Sequence, residues 1–271
     1  MDFRHRYGPW ALVTGASSGL GLHFARRLAD RGLGLVLTAR RAERLDALAE
    51  ELAREAGVQV RTVALDLACP GGAASLLAEV EDLPIGLLVA NAGFGWSGRF
   101  EDEPPGDVAA MVRLNCEAPA LLARGLVPGM LARGRGGIVV VASTAGWQPT
   151  PWMSLYGATK AFDLHLAEGL AAELRPRGVD VLGLCPGHTA TEFHAVAGVD
   201  GPVSGSAADP DEVVATALDA LARRRSVVVP KLHDRFLVRA LRPLPRAWVR
   251  ALVGRALGKR LRRGAAGASS P

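Results

Sequence analysis

Short runs of consecutive apolar residues alternate with stretches of helical periodicity over the first 230 positions. The runs at 10–14, 33–38, 58–64, 85–90, 137–142, 179–185 and 226–230 are mostly continuous rather than alternating. Strands covered on both faces read this way. Helical patterns fall between them at 20–30, 42–55, 72–81, 107–133, 155–175 and 210–223, and the second repeats its leucines at an amphipathic spacing. Such strand–helix alternation predicts a doubly wound α/β domain, a seven-stranded, mostly parallel sheet with helices on both faces. No internal repeat or linker divides residues 1–230, which read as one domain. Residues 198–209, rich in Gly, Ser, Ala and Asp, read as a flexible excursion.

Composition narrows the classes. The chain has 271 residues, 49% hydrophobic and 22% charged, an ordinary globular mixture. Three cysteines, Cys69, Cys116 and Cys185, exclude a disulfide framework, and the six histidines are too dispersed to suggest a metal. No apolar run is long enough to span a bilayer, and the first residues lack the apolar core of a signal peptide. A cytoplasmic location is expected.

The net charge of +5 is uneven. Residues 231–271 carry 11 Lys+Arg against one acid, Asp234; the remainder carries 21 basic and 26 acidic residues. The high isoelectric point therefore belongs to the tail and is poor support for nucleic-acid binding by the whole chain.

Two places carry chemistry. The first apolar run leads into Thr14-Gly15-Ala16-Ser17-Ser18-Gly19-Leu20-Gly21 and then a helix. Glycines between a first strand and a first helix permit a tight turn and close approach of backbone to a phosphate, which meets the positive end of the helix. The second run ends at Ala39-Arg40-Arg41, with no carboxylate until Glu43. An acid there suits a ribose hydroxyl, whereas a guanidinium suits a 2′-phosphate. NADP(H) is thus expected over NAD(H), with Arg40 as the contact and Arg41 as the alternate. Further on, Tyr156 and Lys160 lie four apart in a helical pattern and so share a face. A nearby ammonium lowers the pKa of a phenol towards useful acid–base chemistry. Ser143, at the end of the fifth run, is placed where ligands of such sheets bind.

With these motifs in this order, the sequence resembles the short-chain dehydrogenase/reductase family in its single-domain, NADP(H)-preferring form. The resemblance covers residues 9–230: Thr14 to Gly21, Asn91-Ala92-Gly93, Asn115, Ser143, Tyr156 with Lys160, and Pro186-Gly187 followed by Thr191. It implies a Rossmann fold and hydride transfer between nicotinamide and a carbonyl or secondary alcohol. It implies Tyr156 as general acid/base, Lys160 as the group that tunes it and binds the nicotinamide ribose, Ser143 as the substrate-orienting hydroxyl, and Asn115 as holder of a relay water. The matching cofactor contacts are Gly15, Ser17, Ser18, Gly19, Leu20, Gly21, Arg40, Arg41, Asp66, Leu67, Asn91, Ala92, Gly93, Tyr156, Lys160, Pro186, Gly187, Thr189 and Thr191. One departure is Ala90, where the family commonly has Asn.

Aromatic residues near these motifs, Phe94, Trp147, Trp152 and Phe193, suggest a fairly apolar substrate. They are equally able to pack a core or a subunit contact. His188 and His194 fall in the segment after Pro186-Gly187. Family members are often dimers or tetramers, which the resemblance implies through the helices at 107–133 and 155–175.

Arginines at 235, 239, 242, 246 and 250 are interleaved with Phe236, Leu237, Leu241, Leu244, Trp248 and Leu252. Residues 231–263 read as a basic amphipathic extension, broken by Pro243 and Pro245 into two helices; 264–271 read as a disordered tail. The extension suits packing on the domain, packing on another subunit, or an anionic membrane surface, reached through residues 232–263. It has no nucleic-acid-binding motif. Two readings compete with a carbonyl reductase in solution: a non-catalytic NADP(H)-binding regulator, and a reductase of lipid or steroid ketones at a membrane.

Overall fold

The computed structural model describes residues 2–193, 197 and 207–267, with side chains up to Gly258. Seven strands form one sheet: β1 Trp10–Thr14, β2 Gly34–Ala39, β3 Val60–Ala64, β4 Ile85–Ala90, β5 Gly136–Val141, β6 Val179–Leu184 and β7 Val227–Val228. They lie in the order β3-β2-β1-β4-β5-β6-β7, and every pairing is parallel. The chain leaves β1 towards one edge, then crosses back to lay β4 on the other side of β1. Loops after β1 and β4 therefore diverge and open a crevice at their carboxyl ends.

Helices cover both faces. On one side are α2 Gly19–Ala29, α3 Ala42–Ala56 and α8 Pro210–Ala222. Phe24 and Leu28 of α2, Leu45 of α3 and Leu218 of α8 close over Val13, Leu35 and Leu37 there. On the other side are α4 Gly72–Glu79, α5 Pro105–Val112, α6 Ala118–Ala132 and α7 Ser154–Leu174. Leu76, Leu122, Ala167 and Leu174 pack there on Leu12, Val36, Leu88 and Ile138. Each fully buried leucine, isoleucine or valine side chain among them contributes about 1.5–3 kcal/mol. Strands β4, β5 and β6 are buried at every position, which is why they read as unbroken apolar runs.

Three features differ from the sequence reading. Residues Phe3–Tyr7 form a short helix, α1, where the sequence suggested direct entry into β1. Tyr7 is buried beneath the amino-terminal edge of the sheet, its hydroxyl 3.0 Å from Asp180 Oδ2. The single helix read at 107–133 is interrupted by a π-helical turn at Arg113–Glu117. The extension folds as α9 Leu232–Leu241 and α10 Arg246–Gly267, split at the prolines as expected. α10 therefore continues past 263, and residues 264–267 are helical: Ala265 and Ala266, strong helix formers, carry the helix past Gly264 to Gly267. Of the excursion read at 198–209, residues 198–206 lie outside the described residues, as does His194.

Candidate active site

The loop after β1 turns back on itself with positive φ at Gly15 (68°) and Gly19 (54°), a conformation that side chains with a Cβ disfavour. Its two ends meet at Gly21, where a Cβ would run into the Gly15 carbonyl oxygen. Asn91, just beyond β4, locks this turn. Its Nδ2 donates to the Thr14 carbonyl at 2.9 Å, while Thr14 Oγ1 accepts from the backbone N–H groups of Asn91 and Ala92 at 3.0 and 2.9 Å. The amino end of α2 follows, and Ser18 at its cap makes no side-chain capping bond there.

Arg40 and Arg41 stand at the rim of this groove. Arg41 is engaged: it donates to Ser17 Oγ and Ser18 Oγ at 3.1 and 2.9 Å and to Glu192 Oε2 at 3.1 Å. Glu192 is also held by Arg44, and the two guanidinium groups keep its carboxyl below the usual range. Arg40 lines the same groove and makes no hydrogen bond or ion pair with any described residue. Asp66 and Leu67 form the groove's far side, with Asp66 Oδ1 fixed by the Ala68 N–H at 2.9 Å.

The groove continues into a chamber above β4, β5 and β6, together a cavity of about 540 Å³. Ser143 follows β5, Tyr156 and Lys160 project from α7, and all three line it with Phe94, Pro186, Gly187, Thr189, Thr191 and Phe193. Ser143 Oγ accepts from the Ala145 N–H at 3.1 Å. Lys160 Nζ donates to the Val141 carbonyl and to Asp163 Oδ2, each at 2.8 Å. The Phe193 ring lies against Tyr156, centroids 5.2 Å apart.

Burial is the largest influence on the phenol and raises its pKa above the ordinary tyrosine value. Lys160 and the Ser143 hydroxyl pull it down; Asp163 pushes it up. The sequence led us to expect a net depression by Lys160. The structure gives the opposite net direction, because Tyr156 is buried and the lysine's field is shared with Asp163. For Lys160, burial opposes the charge, but Asp163 and Tyr156 outweigh it and raise its pKa.

Asn115 sits on the π-helical turn and is buried. Its Nδ2 donates to the Phe94 carbonyl at 2.9 Å and to Thr159 Oγ1 at 3.0 Å, and its Oδ1 accepts from Phe94 N–H at 3.2 Å. The amide side chain thus clamps the loop after β4 onto α7 and does not line the chamber.

The substrate aromatics divide. Phe94 and Phe193 line the chamber; Trp147 and Trp152 do not. Trp147 packs beside Ala142, Leu164, Cys185 and Val229, with Arg242 over its ring at 5.4 Å. Trp152 has φ of 72°, which turns its indole outward to donate to the Gly254 carbonyl of α10 at 3.0 Å. Sequence reasoning missed Asp163 and the chamber-lining residues of α9 and α10. Asp163 is readable in retrospect as an acid one turn after Lys160; nothing in the sequence placed the tail.

The model of one protein family, described as short chain dehydrogenase, matches residues 9–199. Among curated proteins, the chain is similar to a very-long-chain 3-oxoacyl-CoA reductase of Anas platyrhynchos, 36% identical over 194 residues, 70% of this chain and 62% of that one. The match thus spans less than two thirds of that relative. The chain is also similar to a 7beta-hydroxysteroid dehydrogenase of Collinsella aerofaciens, 32% identical over 84% of this chain and 88% of that one. Among solved structures, a short-chain dehydrogenase from Sphingobium yanoikuyae in complex with NADPH superposes with a TM-score of 0.81 at 40% identity, covering 87% of this chain and 93% of that one.

Proposed function

The chain belongs to the short-chain dehydrogenase/reductase family, and from this we propose that it is an NADP(H)-dependent oxidoreductase that interconverts a fairly apolar ketone and its secondary alcohol. The observation that carries the reading is the convergence of Ser143, Tyr156 and Lys160 on a chamber continuous with the glycine turn and Arg40.

The residues present fit a 2′-phosphorylated dinucleotide. The glycine turn leaves no room for side chains between Gly15 and Gly21, and an uncapped helix end follows it. Arg40 offers a guanidinium with no partner among the described residues where a 2′-phosphate needs one. Asp66 and Leu67 would border the adenine, and Asn91, Ala92, Gly93, Pro186, Gly187, Thr189 and Thr191 the nicotinamide end. When bound, the nicotinamide supplies or takes up the hydride.

The protein supplies orientation and the proton. Tyr156, whose phenol is pushed up from the ordinary tyrosine value by burial, gives its phenolic proton to the substrate oxygen in the reductive direction. Ser143 holds that oxygen with a hydrogen bond as negative charge grows on it. Lys160 favours the phenolate left behind and so assists the transfer. The Asn115 amide is spent on Phe94 and Thr159, and its part in this reading is to hold the loop after β4 against α7. Acid–base assistance of this kind is worth about 10²–10⁴-fold. Tyr156→Phe should lower turnover by that order while leaving NADPH affinity, followed by cofactor fluorescence, within about twofold. Equal rates for the variant and the unaltered protein would remove the assignment.

The outer face of the extension supports a second, peripheral role. Phe236 is 74% exposed and Trp248 68%, and Arg239, Arg246 and Arg250 are exposed on the same two helices. Exposed aromatic and basic residues of this kind fit an anionic membrane surface. Among the described residues no helix is long and apolar enough to cross a membrane. Salt-reversible binding to phosphatidylserine vesicles, lost in a Phe236→Ser/Trp248→Ser variant, is the expected result. For self-association, exposed Leu121 on α6 and Phe162 on α7 support a homodimer or homotetramer, which light scattering would read directly.

A further inference from the structure

We propose that α9 and α10 are the specificity wall of the substrate chamber, and that they select substrates with a bulky, uncharged, aliphatic body. This deepens the oxidoreductase reading and rests on it.

The placement comes from contacts at both helices. Asp234 of α9 packs against Gly187 in the loop after β6, so closely that a Cβ on Gly187 would collide with its carboxylate. Val238 and Val249, one on each helix, are buried. Arg242 lies over Trp147, and Gly254 of α10 accepts from the Trp152 indole. The extension is thereby fixed to the loops after β5 and β6, two of those that border the chamber.

From that position Leu237, Val238, Leu241, Leu252, Val253 and Leu257 line the cavity, with Leu237 and Leu252 at its open side, where they stay 44% and 54% exposed. The only charged side chain that α9 and α10 add to the described lining is Asp234. A carboxylate does not pair with a substrate anion, and a wall of leucine and valine rewards apolar surface at about 25 cal/mol per Å² buried. The catalytic groups belong to other elements, Ser143 to the loop after β5 and Tyr156 and Lys160 to α7. Chemistry and size selection are therefore carried by different walls.

The test uses the full chain with NADPH and three saturated ketones of rising size: cyclohexanone, 2-decalone and a tetracyclic ketone. The unaltered protein should show kcat/KM rising by about tenfold or more across the series. Val253→Trp, which fills the chamber, should lower kcat/KM for the tetracyclic ketone by about tenfold while cyclohexanone stays within about twofold. Leu241→Asn, which keeps the branching and the heavy-atom count but is polar, should flatten the size preference in the same direction. NADPH binding, followed by fluorescence, should be unchanged in both and reports an intact fold. A size series that is flat in the unaltered protein, or variants that alter all three ketones equally, would overturn the specificity wall. An unaltered protein that binds NADPH and reduces none of the three would instead overturn the oxidoreductase reading.

Discussion

Lys160 and Asp163, one helical turn apart on α7, form a buried ion pair with Nζ 2.8 Å from Oδ2. Both side chains are almost wholly shielded from solvent, and the second oxygen of Asp163 has no hydrogen-bond partner among the described residues. The pair divides the lysine's positive field between a carboxylate behind it and the Tyr156 phenol in front. Cys116 and Cys185 also face this cluster, and both thiols are pushed up by burial, Cys116 to about 11 and Cys185 to about 12. They are neutral at physiological pH and leave Asp163 as the negative group of the cluster.

Asp163→Asn should therefore lower the Tyr156 pKa, because it removes a charge that raises it. Oxidation of an alcohol requires the phenolate, so its rate rises with pH through that pKa. In the variant this rise should begin at lower pH. Reduction requires the phenol, so its alkaline decline should move to lower pH as well. Full pH–rate profiles in both directions check this; an unmoved profile would show that Asp163 serves only to pack α7.

Arg40→Ala should weaken NADPH binding by about 2 kcal/mol, roughly thirtyfold, as expected for loss of a charge-assisted contact. NADH affinity should change by less than about twofold. Arg41→Ala should have the smaller effect on cofactor choice, since Arg41 is already committed to Glu192. Titration of each variant with both cofactors separates the two arginines, and a larger loss at Arg41 would reverse the assignment.

At the opposite edge of the sheet, Asp180 is buried and takes Tyr7 OH at 3.0 Å, Arg6 Nη2 at 2.6 Å and Arg224 Nε at 2.9 Å. Tyr7→Phe should cost about 1–3 kcal/mol, because a buried carboxylate loses a donor. Asp180→Ala should cost more, about 3–5 kcal/mol. Chemical denaturation measures both. Neither variant should alter KM, since the cluster lies across the sheet from the chamber.

The sheet was legible because its central strands are buried on both faces, so their composition alone marks them. The glycine turn, Ser143, Tyr156 and Lys160 were legible because spacing along one chain places them at strand ends and on one helix face, and the structure brings them to one chamber. The π-helical turn at Arg113–Glu117 was not: it changes the hydrogen-bond phase by one residue, which apolar periodicity does not register. Trp147 and Trp152 misled because closeness in sequence to Tyr156 says nothing of which way a loop turns its side chains. The fate of α9 and α10 was open for a different reason. An amphipathic basic helix has the same pattern whether its apolar side meets a domain, a subunit or a lipid surface, and only the contacts with Trp152 and Gly187 decide.

The indole of Trp152 reaching the backbone of α10 ties the middle of the chain to a segment made about a hundred residues later. The lining that carries the glycine turn and the proton-transfer groups comes from residues up to Phe193, and the remaining lining from residues 234–257. By the same token, exchanges confined to 232–257 can retune what the protein accepts while every group that handles the proton stays in place.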